Sequence, residues 1–458
     1  MDIPKLVQEQ KHFFKSQQTK NLDFRISLLK KLLVAVQEKE QDIISALHKD
    51  FKKSEYESVM TETSIVISEL KSSIKNLRSW AKPKRVFPAL LNFPSSSKIY
   101  KEPYGAVLVI SPWNYPYQLA LVPLIGAIAA GNTVVLKPSE LTPHTSKITK
   151  EIIEAVFASQ LVAVVEGGVE VSTALLEERW DYIFFTGSVQ VGKIIAKAAA
   201  KHLTPITLEL GGKNPCIIDD TAAIALAAKR IVWGKCINAG QTCIAPDYLI
   251  IHKKVKDEFV RCFQEEVTKA YGLNPQESKD YPRIVNEKNF DRLANMLSNE
   301  KILVGGNTDK ETLYIAPTLI DNPSMDSEVM KGEIFGPISP VLTYKDEAEL
   351  EALILRYEKP LALYVFTKRT AFAKQIIRNF SFGGGTINDT TVHFANSRLP
   401  FGGVGESGIG NYHGKRTFDL FSHHKGMVHR YNWLDVPVRY APYKGKVALL
   451  KKFMNLFS

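Results

Sequence analysis

The sequence is poor in cysteine and lacks a long apolar run. Only four of its 458 residues are cysteine, too few and too plainly spaced for a disulfide framework or a zinc site. The longest apolar run, residues 119–130, is shorter than the ~20 residues that a membrane span requires. The N-terminus lacks the apolar core of a secretory signal peptide. We therefore expect a soluble protein in the reducing cytoplasm, without a metal ion.

The charge is basic, with 59 Lys and Arg against 48 Asp and Glu, a formal net charge of +11. Glutamates alternate with the lysines along helix-like stretches, which is typical of a solvated helix face, and no nucleic-acid recognition motif accompanies them. We therefore expect no nucleic-acid partner. The densest basic region is C-terminal, and apolar residues recur there at helical spacing. The members of this tail stripe are Lys444, Lys446, Val447, Leu450, Lys451, Lys452, Phe453 and Phe457. It predicts a short amphipathic helix that docks on a partner subunit, with peripheral membrane contact as the less favoured alternative.

The order of elements predicts an α/β protein. Residues 1–80 have the spacing of amphipathic helices, and strand-like segments begin after Lys84. From residue 105 to 212, short β-rich apolar runs alternate with helical segments, and a second alternating block follows from 214 to about 410. Such alternation is typical of parallel, doubly wound sheets. We expect two α/β domains in succession and an additional strand-and-tail element.

GSVQVGK, at residues 187–193, matches most of the phosphate-loop pattern G-x-x-x-x-G-K-[ST]. The next residue is Ile194, so the hydroxyl that holds magnesium in nucleoside triphosphatases is missing. The dinucleotide fingerprint G-x-G-x-x-G is absent as well. A predicted strand, a turn at Gly187 and a helix start remain, where backbone N–H groups attract phosphate. The pattern disfavours a nucleoside triphosphatase and leaves a phosphate-binding turn or a simple helix start.

Seven further motifs follow one another along the chain. They are SPWNYP (111–116), VLKPSELTP (135–143), FTGS (185–188), LELGGK (208–213), GQTC (240–243), EIFGP (333–337) and PFGGVGESGIG (400–410). Together they resemble the NAD(P)-dependent aldehyde dehydrogenases. The short N-terminus, RYAPY at 439–443 and the C-terminal extension are similar to class 3 of that family, which includes medium-chain and fatty aldehyde dehydrogenases.

The resemblance implies an aldehyde dehydrogenase-like α/β fold with a Rossmann-type cofactor domain, an α/β catalytic domain and a small bridging element. The implied ranges are 1–82 and 103–209 for the cofactor domain, 210–415 for the catalytic domain, and 83–102 with 416–458 for the bridging element and tail. Since the SSSKIYKEP strand and the tail resemble elements that bridge subunits, a homodimer is expected. The implied reaction oxidises medium- or long-chain aliphatic or aromatic aldehydes to carboxylic acids with NAD, or alternatively NADP.

Cys243 is the candidate nucleophile among the four cysteines. A lone cysteine is by default a small buried residue. Cys243, however, follows an apparent helix at 222–236 in a predicted turn, whereas Cys216, Cys236 and Cys262 fall in predicted strands and helices. A thiolate adds to an aldehyde carbon, and the thioester that follows is readily hydrolysed. The turn therefore suits a reactive thiol better than the other three positions do.

The resemblance assigns Cys243 as the nucleophile, Glu209 as the base that activates the hydrolytic water, and Asn114 as the side-chain donor to the oxyanion. The residues alone leave alternatives open. An asparagine after a strand also suits an Asx-turn. An acidic residue between Leu208 and Leu210 faces either solvent or a site.

The resemblance also implies the cofactor contacts. They are Trp113, Lys137, Glu140, Gly187, Ser188, Gly192, Leu210, Gly211, Glu333 and Phe335. Lys137 and Glu140 would meet the adenine ribose, where a carboxylate favours the free 2′-hydroxyl of NAD and a lysine tolerates the 2′-phosphate of NADP. Ser188 would hold the pyrophosphate, while Glu333 and Phe335 would contact the nicotinamide ribose and ring. Alone, EIFGP also suits an ordinary acidic turn.

The expected substrate pocket is an apolar entrance lined by Tyr115, Trp233, Thr391, Phe394 and His413, although a large aromatic residue is more often part of a core. Three other functions stay as alternatives. A relative that transfers the acyl group to coenzyme A would not need the hydrolytic base Glu209. A silent binding protein would keep the fold without turnover, and a basic nucleic-acid-binding protein lacks a motif.

Overall fold

A computed structural model describes residues 2–89, 92–435 and 437–455 of the protein. The side chains of Val438 and Phe453 lie outside this description, as does Phe457 of the tail stripe. Within the described residues, no helix is long and apolar enough to cross a membrane. The same residues contain no group of three or more His, Cys, Asp or Glu side chains placed to hold a metal ion.

Helices cover most of the first 81 residues, as predicted, and alternate with strands thereafter. The described α-helices are α1 (Ile3–Lys15), α2 (Leu22–Glu38), α3 (Glu40–Phe51), α4 (Glu55–Ser58), α5 (Ser64–Ala81), α6 (Gln118–Ala130), α7 (Pro143–Val156), α8 (Val169–Glu177), α9 (Val189–Ala200), α10 (Ile224–Cys236), α11 (Lys256–Tyr271), α12 (Glu287–Asn295), α13 (Glu328–Lys331), α14 (Glu347–Leu355), α15 (Thr370–Asn379), α16 (Lys415–Leu420) and α17 (Val447–Asn455). A π-helical turn, Val59–Thr63, joins α4 to α5.

The strands form sheets that follow the two predicted blocks. They are β1 (Lys84–Val86), β2 (Ser95–Pro103), β3 (Ala106–Ile110), β4 (Thr133–Lys137), β5 (Val162–Val164), β6 (Tyr182–Thr186), β7 (Ile206–Glu209), β8 (Pro215–Ile218), β9 (Tyr248–His252), β10 (Ile302–Val304), β11 (Thr308–Asp309), β12 (Tyr314–Ile315), β13 (Thr318–Asp321), β14 (Ile338–Tyr344), β15 (Ala362–Phe366), β16 (Gly384–Ile387), β17 (Gly408–Ile409) and β18 (Ser422–Arg430).

The first large sheet has the order β17-β7-β6-β3-β4-β5 and is parallel except at β17. Its central strands are buried on both faces, which explains their continuous apolar sequences. Alternate residues pack in opposite directions: Val107 and Val109 contact a core that includes α2, α6 and α7. Ala106 and Leu108 pack in a second core with residues of α1, α8 and α9. The predicted doubly wound arrangement is confirmed.

The second large sheet has the order β10-β13-β14-β9-β8-β15-β16 and is parallel except at β10. A smaller sheet, β1-β2-β18, pairs β2 with β18 in antiparallel register from Ser422 opposite Pro103 to Arg430 opposite Ser95. The predicted amphipathic helix in the tail is α17, and its Val447 and Leu450 side chains are exposed.

One pairing differs from the sequence pattern, in which the second block runs on to about residue 410. Gly408 and Ile409 of β17 pair with Glu209 and Leu208 of β7, so this segment returns to the first sheet. A two-residue strand has no periodicity by which sequence could assign it to a sheet. The return places the chain after β16 beside the carboxyl end of β7.

Candidate active site

The segment after β3 is tied to the cysteine loop by hydrogen bonds. Asn114, which is 3% exposed, donates from Nδ2 to the Gln241 carbonyl oxygen at 3.1 Å. In the other direction, Asn238 of the cysteine loop donates from Nδ2 to the Asn114 carbonyl oxygen at 2.7 Å. The Tyr115 hydroxyl lies 2.6 Å from Thr242 Oγ1. The candidate oxyanion donor and the residues just before the candidate nucleophile are therefore parts of one network.

The cysteine loop has an unusual backbone after α10. Asn238 and Ala239 have positive φ values of 52° and 51°, and Gly240 has a φ of 72°. A Cβ at Gly240 would lie 2.2 Å from the Gly336 carbonyl oxygen, so only glycine fits this approach. The Gln241 side chain donates to the Asn238 carbonyl oxygen at 2.9 Å. Sequence reasoning missed the structural roles of Asn238 and Gln241, although Asn and Gly are the residues that tolerate left-handed backbone.

Cys243 is half-buried, and its backbone is held from the second sheet. Asn214 Nδ2 donates to the carbonyl oxygens of Cys243 and Ala245, at 2.7 and 3.0 Å. Further along, Asp247 accepts from Lys213 Nζ at 2.7 Å in a buried ion pair. The loop is therefore fixed on both sides of the thiol, as a positioned nucleophile requires.

Burial dominates the electrostatics of the site. Glu209, at the end of β7, is 2% exposed, and neither carboxyl oxygen has a hydrogen-bond partner. Burial raises the pKa of Glu209 well above its ordinary value. The pKa of Cys243 is also raised, first by burial and then by the nearby carboxyl groups of Glu333 and Glu209. Burial therefore disfavours the ionised form of each group, and each loses its proton at a higher pH than it would in water.

A cavity of about 570 Å³ brings Cys243 and Glu209 to a common wall. Much of the rest is lined by aliphatic and aromatic side chains. All the residues predicted for the substrate pocket line this cavity, namely Tyr115, Trp233, Thr391, Phe394 and His413. Asn114 is not among the lining residues, whereas Tyr115 beside it is.

The cavity also contains a carboxyl group that sequence reasoning missed. Glu69 of α5 is 7% exposed, and its Oε1 atom has no hydrogen-bond partner. Burial raises the pKa of Glu69 to about 7. Gln118 Nε2, in the same cavity lining, is likewise buried without a partner. An acidic residue in an amphipathic helix normally faces solvent, so the sequence gives no signal for this position.

Replacing Glu69 by glutamine is expected to change how stability depends on pH. Burial raises the pKa of Glu69 in the folded state from 4.5 to about 7. The contribution of this group to the wild-type free energy of unfolding therefore decreases as the pH rises through this range. At pH 8 the ionised carboxylate costs about 3 kcal/mol that the neutral amide does not. Urea unfolding of Glu69→Gln and wild type at pH 5 and pH 8 measures this difference. The exposed Glu38→Gln variant is the control, and an equal free-energy difference at both pH values would contradict the assignment.

The residues predicted to bind adenosine and phosphate lie at the carboxyl ends of β4 and β6. Lys137 ends β4, is 3% exposed, and its Nζ lies 2.6 Å from Glu140 Oε2. The Gly187 N–H donates to the Glu209 carbonyl oxygen at 3.0 Å. Ser188 caps α9, its Oγ accepting a hydrogen bond at 3.4 Å from the third residue of that helix. A carboxylate and a helix N-terminus at one sheet edge fit a ribose hydroxyl and a pyrophosphate.

Two further glycines among the cofactor candidates lie close to other candidates. A Cβ at Gly192 would lie 2.7 Å from Leu210 Cδ2, and a Cβ at Gly211 would lie 2.1 Å from Glu333 Oε2. Glu333 Oε1 is buried without a hydrogen-bond partner. Burial, followed by the repulsion of Asp247, raises the pKa of Glu333 to about 8. An unpartnered carboxyl oxygen on a side chain that lies against Gly211 fits a sugar hydroxyl, which can donate to it.

Trp113 and Phe335 complete the edge of this region. Their ring centroids are 5.2 Å apart and nearly perpendicular. Phe335 has a φ of 55°, an uncommon value for an aromatic residue. The structure thus brings together Trp113 with Phe335, Gly192 with Leu210, Gly211 with Glu333, and Lys137 with Glu140. These donors, acceptors and aromatic faces fit a nicotinamide dinucleotide.

Comparison with known proteins gives the family. The profile of the Aldehyde dehydrogenase family matches residues 1–427. The 4,4'-diaponeurosporen-aldehyde dehydrogenase of Staphylococcus aureus is 47% identical, covering 98% of this chain and 98% of that protein. Aldehyde dehydrogenase family 3 member H1 of Arabidopsis thaliana is 44% identical, covering 98% of this chain and 94% of its own. The solved substrate-bound state of Staphylococcus aureus AldH has a TM-score of 0.97 and 46% identity, covering 99% and 100% of the two chains.

The chain belongs to the aldehyde dehydrogenase family, and the relatives above include a family 3 member. It is an NAD(P)-dependent oxidoreductase that oxidises aldehydes to carboxylic acids. The resemblance drawn from the seven sequence motifs is thereby confirmed.

Proposed function

We propose that Cys243 is the nucleophile, Glu209 the base for hydrolysis and Asn114 the side-chain donor to the oxyanion. One observation carries this assignment: Cys243 and Glu209 share the wall of an apolar cavity, and the loop before Cys243 is bonded to Asn114 through Gln241. An apolar cavity excludes bulk water, so a single activated water can be directed at the acyl group.

In the proposed chemistry the Cys243 thiol first loses its proton to water. The thiolate sulfur then bonds to the aldehyde carbon while the electron pair of the C=O π bond moves to the oxygen, which gains negative charge. The second N–H of Asn114 Nδ2 and the Cys243 backbone N–H supply donors for that oxygen, a contribution of about 10²–10³ in rate per donor. A bound NAD(P)⁺ would supply the hydride acceptor, and loss of that hydride from the adduct re-forms the C=O bond and leaves a thioester on Cys243. Glu209 then takes a proton from water, the water oxygen bonds to the acyl carbon, and the Cys243 sulfur leaves as the carboxylic acid forms.

The cofactor would be held by the residues at the edge of the first sheet. Lys137 and Glu140 would contact the adenine ribose, and Gly187, Ser188 and the start of α9 the pyrophosphate. Glu333 would accept from the nicotinamide ribose, with Trp113 and Phe335 flanking the ring. Gly192, Leu210 and Gly211 would shape the space between these contacts.

NAD is the preferred cofactor in this proposal because the Glu140 carboxylate repels a 2′-phosphate. Replacing Glu140 by glutamine also frees Lys137 Nζ, which lies 2.6 Å from the carboxylate. We expect the ratio of kcat/KM for NADP to that for NAD to rise about 10-fold or more. Steady-state rates with octanal and each cofactor measure this ratio. Lys137→Gln is the matched variant, for which the ratio falls; an unchanged ratio in both variants would remove these residues from the ribose site.

The proposed substrates are medium- or long-chain aliphatic and aromatic aldehydes. The cavity beside Cys243 is mostly apolar, and it includes the rings of Tyr115, Trp233, Phe394 and His413. The Staphylococcus aureus relative is named for 4,4'-diaponeurosporen-aldehyde. A rate survey across aliphatic aldehydes of increasing length is the test: kcat/KM should rise with chain length. A preference for acetaldehyde would contradict the proposal.

The free carboxylic acid is the proposed product, with acyl transfer to coenzyme A as the rival. Glu209 lines the cavity as a buried, unpartnered carboxyl group, which a thiol acceptor does not require. Adding coenzyme A should therefore leave the rate of NADH formation unchanged. Appearance of an acyl-coenzyme A product would favour the rival.

We also propose the domain division given above, with β3–β7 in the cofactor domain and β8–β16 in the catalytic domain.

A cytoplasmic location is proposed as well. It is supported by the free thiols of the four cysteines, Cys216, Cys236, Cys243 and Cys262.

A homodimer is proposed because β18 is an edge strand with largely exposed side chains, and an open edge can pair with another chain. Sedimentation at micromolar concentration should give a mass of about twice the 51.3 kDa chain. A single species with the mass of one chain would contradict it.

A further inference from the structure

A buried ion cluster lies behind the active site and takes no part in the chemistry above. It consists of Lys53, Glu57 and Glu62, which are 0%, 7% and 0% exposed. Lys53 Nζ lies 3.0 Å from Glu62 Oε1 and 4.7 Å from the centroid of the Tyr115 ring. Desolvating three charged groups is costly, and a buried ion pair is weak evidence for stability. The cluster therefore calls for an explanation other than core packing.

One arm of the cluster holds the segment that carries Asn114. Glu62 Oε2 accepts hydrogen bonds from the N–H groups of Tyr117, at 3.0 Å, and Gln118, at 2.9 Å. These N–H groups stand at the start of α6, directly after SPWNYP, where a helix leaves its N–H groups unpaired and favours a carboxylate. Glu62 lies in the π-helical turn Val59–Thr63, a distortion that is frequent at functional sites.

The other arm holds the cysteine loop. Glu57 Oε1 accepts a hydrogen bond from the Asn238 N–H at 2.7 Å. Asn238 has a left-handed φ of 52°, and its Nδ2 donates to the carbonyl oxygens of Asn114 at 2.7 Å and Gln241 at 3.1 Å. Burial raises the pKa of Glu57 to about 7, which the nearby Lys53 ammonium opposes. Asn238 is therefore the point at which the cluster, the Asn114 segment and the cysteine loop meet.

We propose that Lys53, Glu57 and Glu62 are positioning residues that fix Asn114 relative to Cys243 for aldehyde oxidation. This inference rests on the proposed roles of those two residues. Lys53 pairs with Glu62, whose carboxylate accepts from the start of α6. Glu57 accepts from Asn238 in the cysteine loop. One buried cluster therefore contacts both sides of the site. A misplacement of about 1 Å can cost about 10² in rate, even when its cause lies away from the reacting atoms.

Glu57 offers a matched pair of variants. The amide oxygen of Glu57→Gln can still accept from the Asn238 N–H, whereas Glu57→Leu has similar size and no acceptor. We expect Glu57→Leu to lower kcat with octanal about 10-fold or more, and Glu57→Gln to stay within about 3-fold of wild type. Rates are normalised to active sites counted by the NADH burst, and the KM for NAD should not change. A residue that only stabilised the fold would lower the number of active sites and leave kcat per site unchanged.

The positioning role also predicts coupling to Asn114. In an Asn114→Ala background the oxyanion donor is already absent, so adding Glu57→Leu should lower kcat less than about 2-fold. If Glu57→Leu does not fold, Glu57→Asp withdraws the acceptor by one methylene, keeps the charge and should show the same loss of kcat.

Wild-type kcat per active site in Glu57→Leu, or in Glu57→Asp, would overturn the inference. So would full additivity with Asn114→Ala. If instead the proposed role of Cys243 were wrong, replacing Cys243 would leave aldehyde oxidation unchanged. That result is distinguishable from a wild-type kcat in the Glu57 variants.

Discussion

Replacing Cys243 by serine should lower NADH production from octanal by at least about 10³-fold, since removing a nucleophile costs most of the catalysis that depends on it. A serine hydroxyl ionises far less readily than a thiol, and the resulting ester would be hydrolysed more slowly than a thioester. The cavity gives no compensation, because burial and the Glu333 and Glu209 carboxyl groups all oppose an anion at this position.

Cys262→Ser is the control for this substitution. Cys262 lies on α11, and its side chain packs in the core away from the cavity lining. Its replacement should leave kcat unchanged and, at most, lower stability. Undiminished activity in Cys243→Ser, or an equal loss in both variants, would contradict the role of Cys243 as nucleophile.

Replacing Glu209 by glutamine should separate the two halves of the reaction. The amide cannot take a proton from water, so thioester hydrolysis slows by about 10²–10⁴. Hydride transfer does not require this base, so rapid mixing with octanal and NAD should give a burst of about one NADH per active site. Steady turnover should follow at the reduced rate. A variant with wild-type turnover, or one without a burst, would contradict the hydrolytic role.

The pH dependence of wild type should follow from the same two groups. Burial raises the pKa values of Glu209 and Cys243, and the reaction needs each in its ionised form. The rate should therefore rise with pH from neutral to alkaline conditions, and the two apparent values belong to the interacting pair. In Glu209→Gln, the increase in steady-state rate that comes from ionisation of Glu209 should be absent.

The large sheets were predictable because their strands are buried on both faces. AVLVI at β3 and YIFFT at β6 are continuous apolar runs separated by helical segments. Such runs are typical of strands that are buried on both faces of a parallel sheet. The candidate catalytic residues were predictable through their motifs. The structure places Cys243 and Glu209 at one cavity and bonds Asn114 to the loop before Cys243, while their catalytic roles stay predictions.

The supporting groups were not predictable, because nothing in their local sequence differs from an ordinary helix face. Glu69 and Glu62 are acidic residues of amphipathic or distorted helices, where solvent exposure is the default. Their burial is decided by the packing of α5 and the π-helical turn against α6, which brings together residues far apart in sequence. The left-handed Asn238 likewise donates its backbone N–H to Glu57, which is 181 residues away.

The most direct test of the central claim is mass spectrometry of Glu209→Gln after rapid mixing with octanal and NAD. The account predicts one added octanoyl group per chain, located on the peptide that contains Cys243. The adduct should disappear slowly as octanoic acid forms. No covalent adduct, or an adduct on Cys236 or another residue, would contradict the claim that oxidation proceeds through a thioester at Cys243.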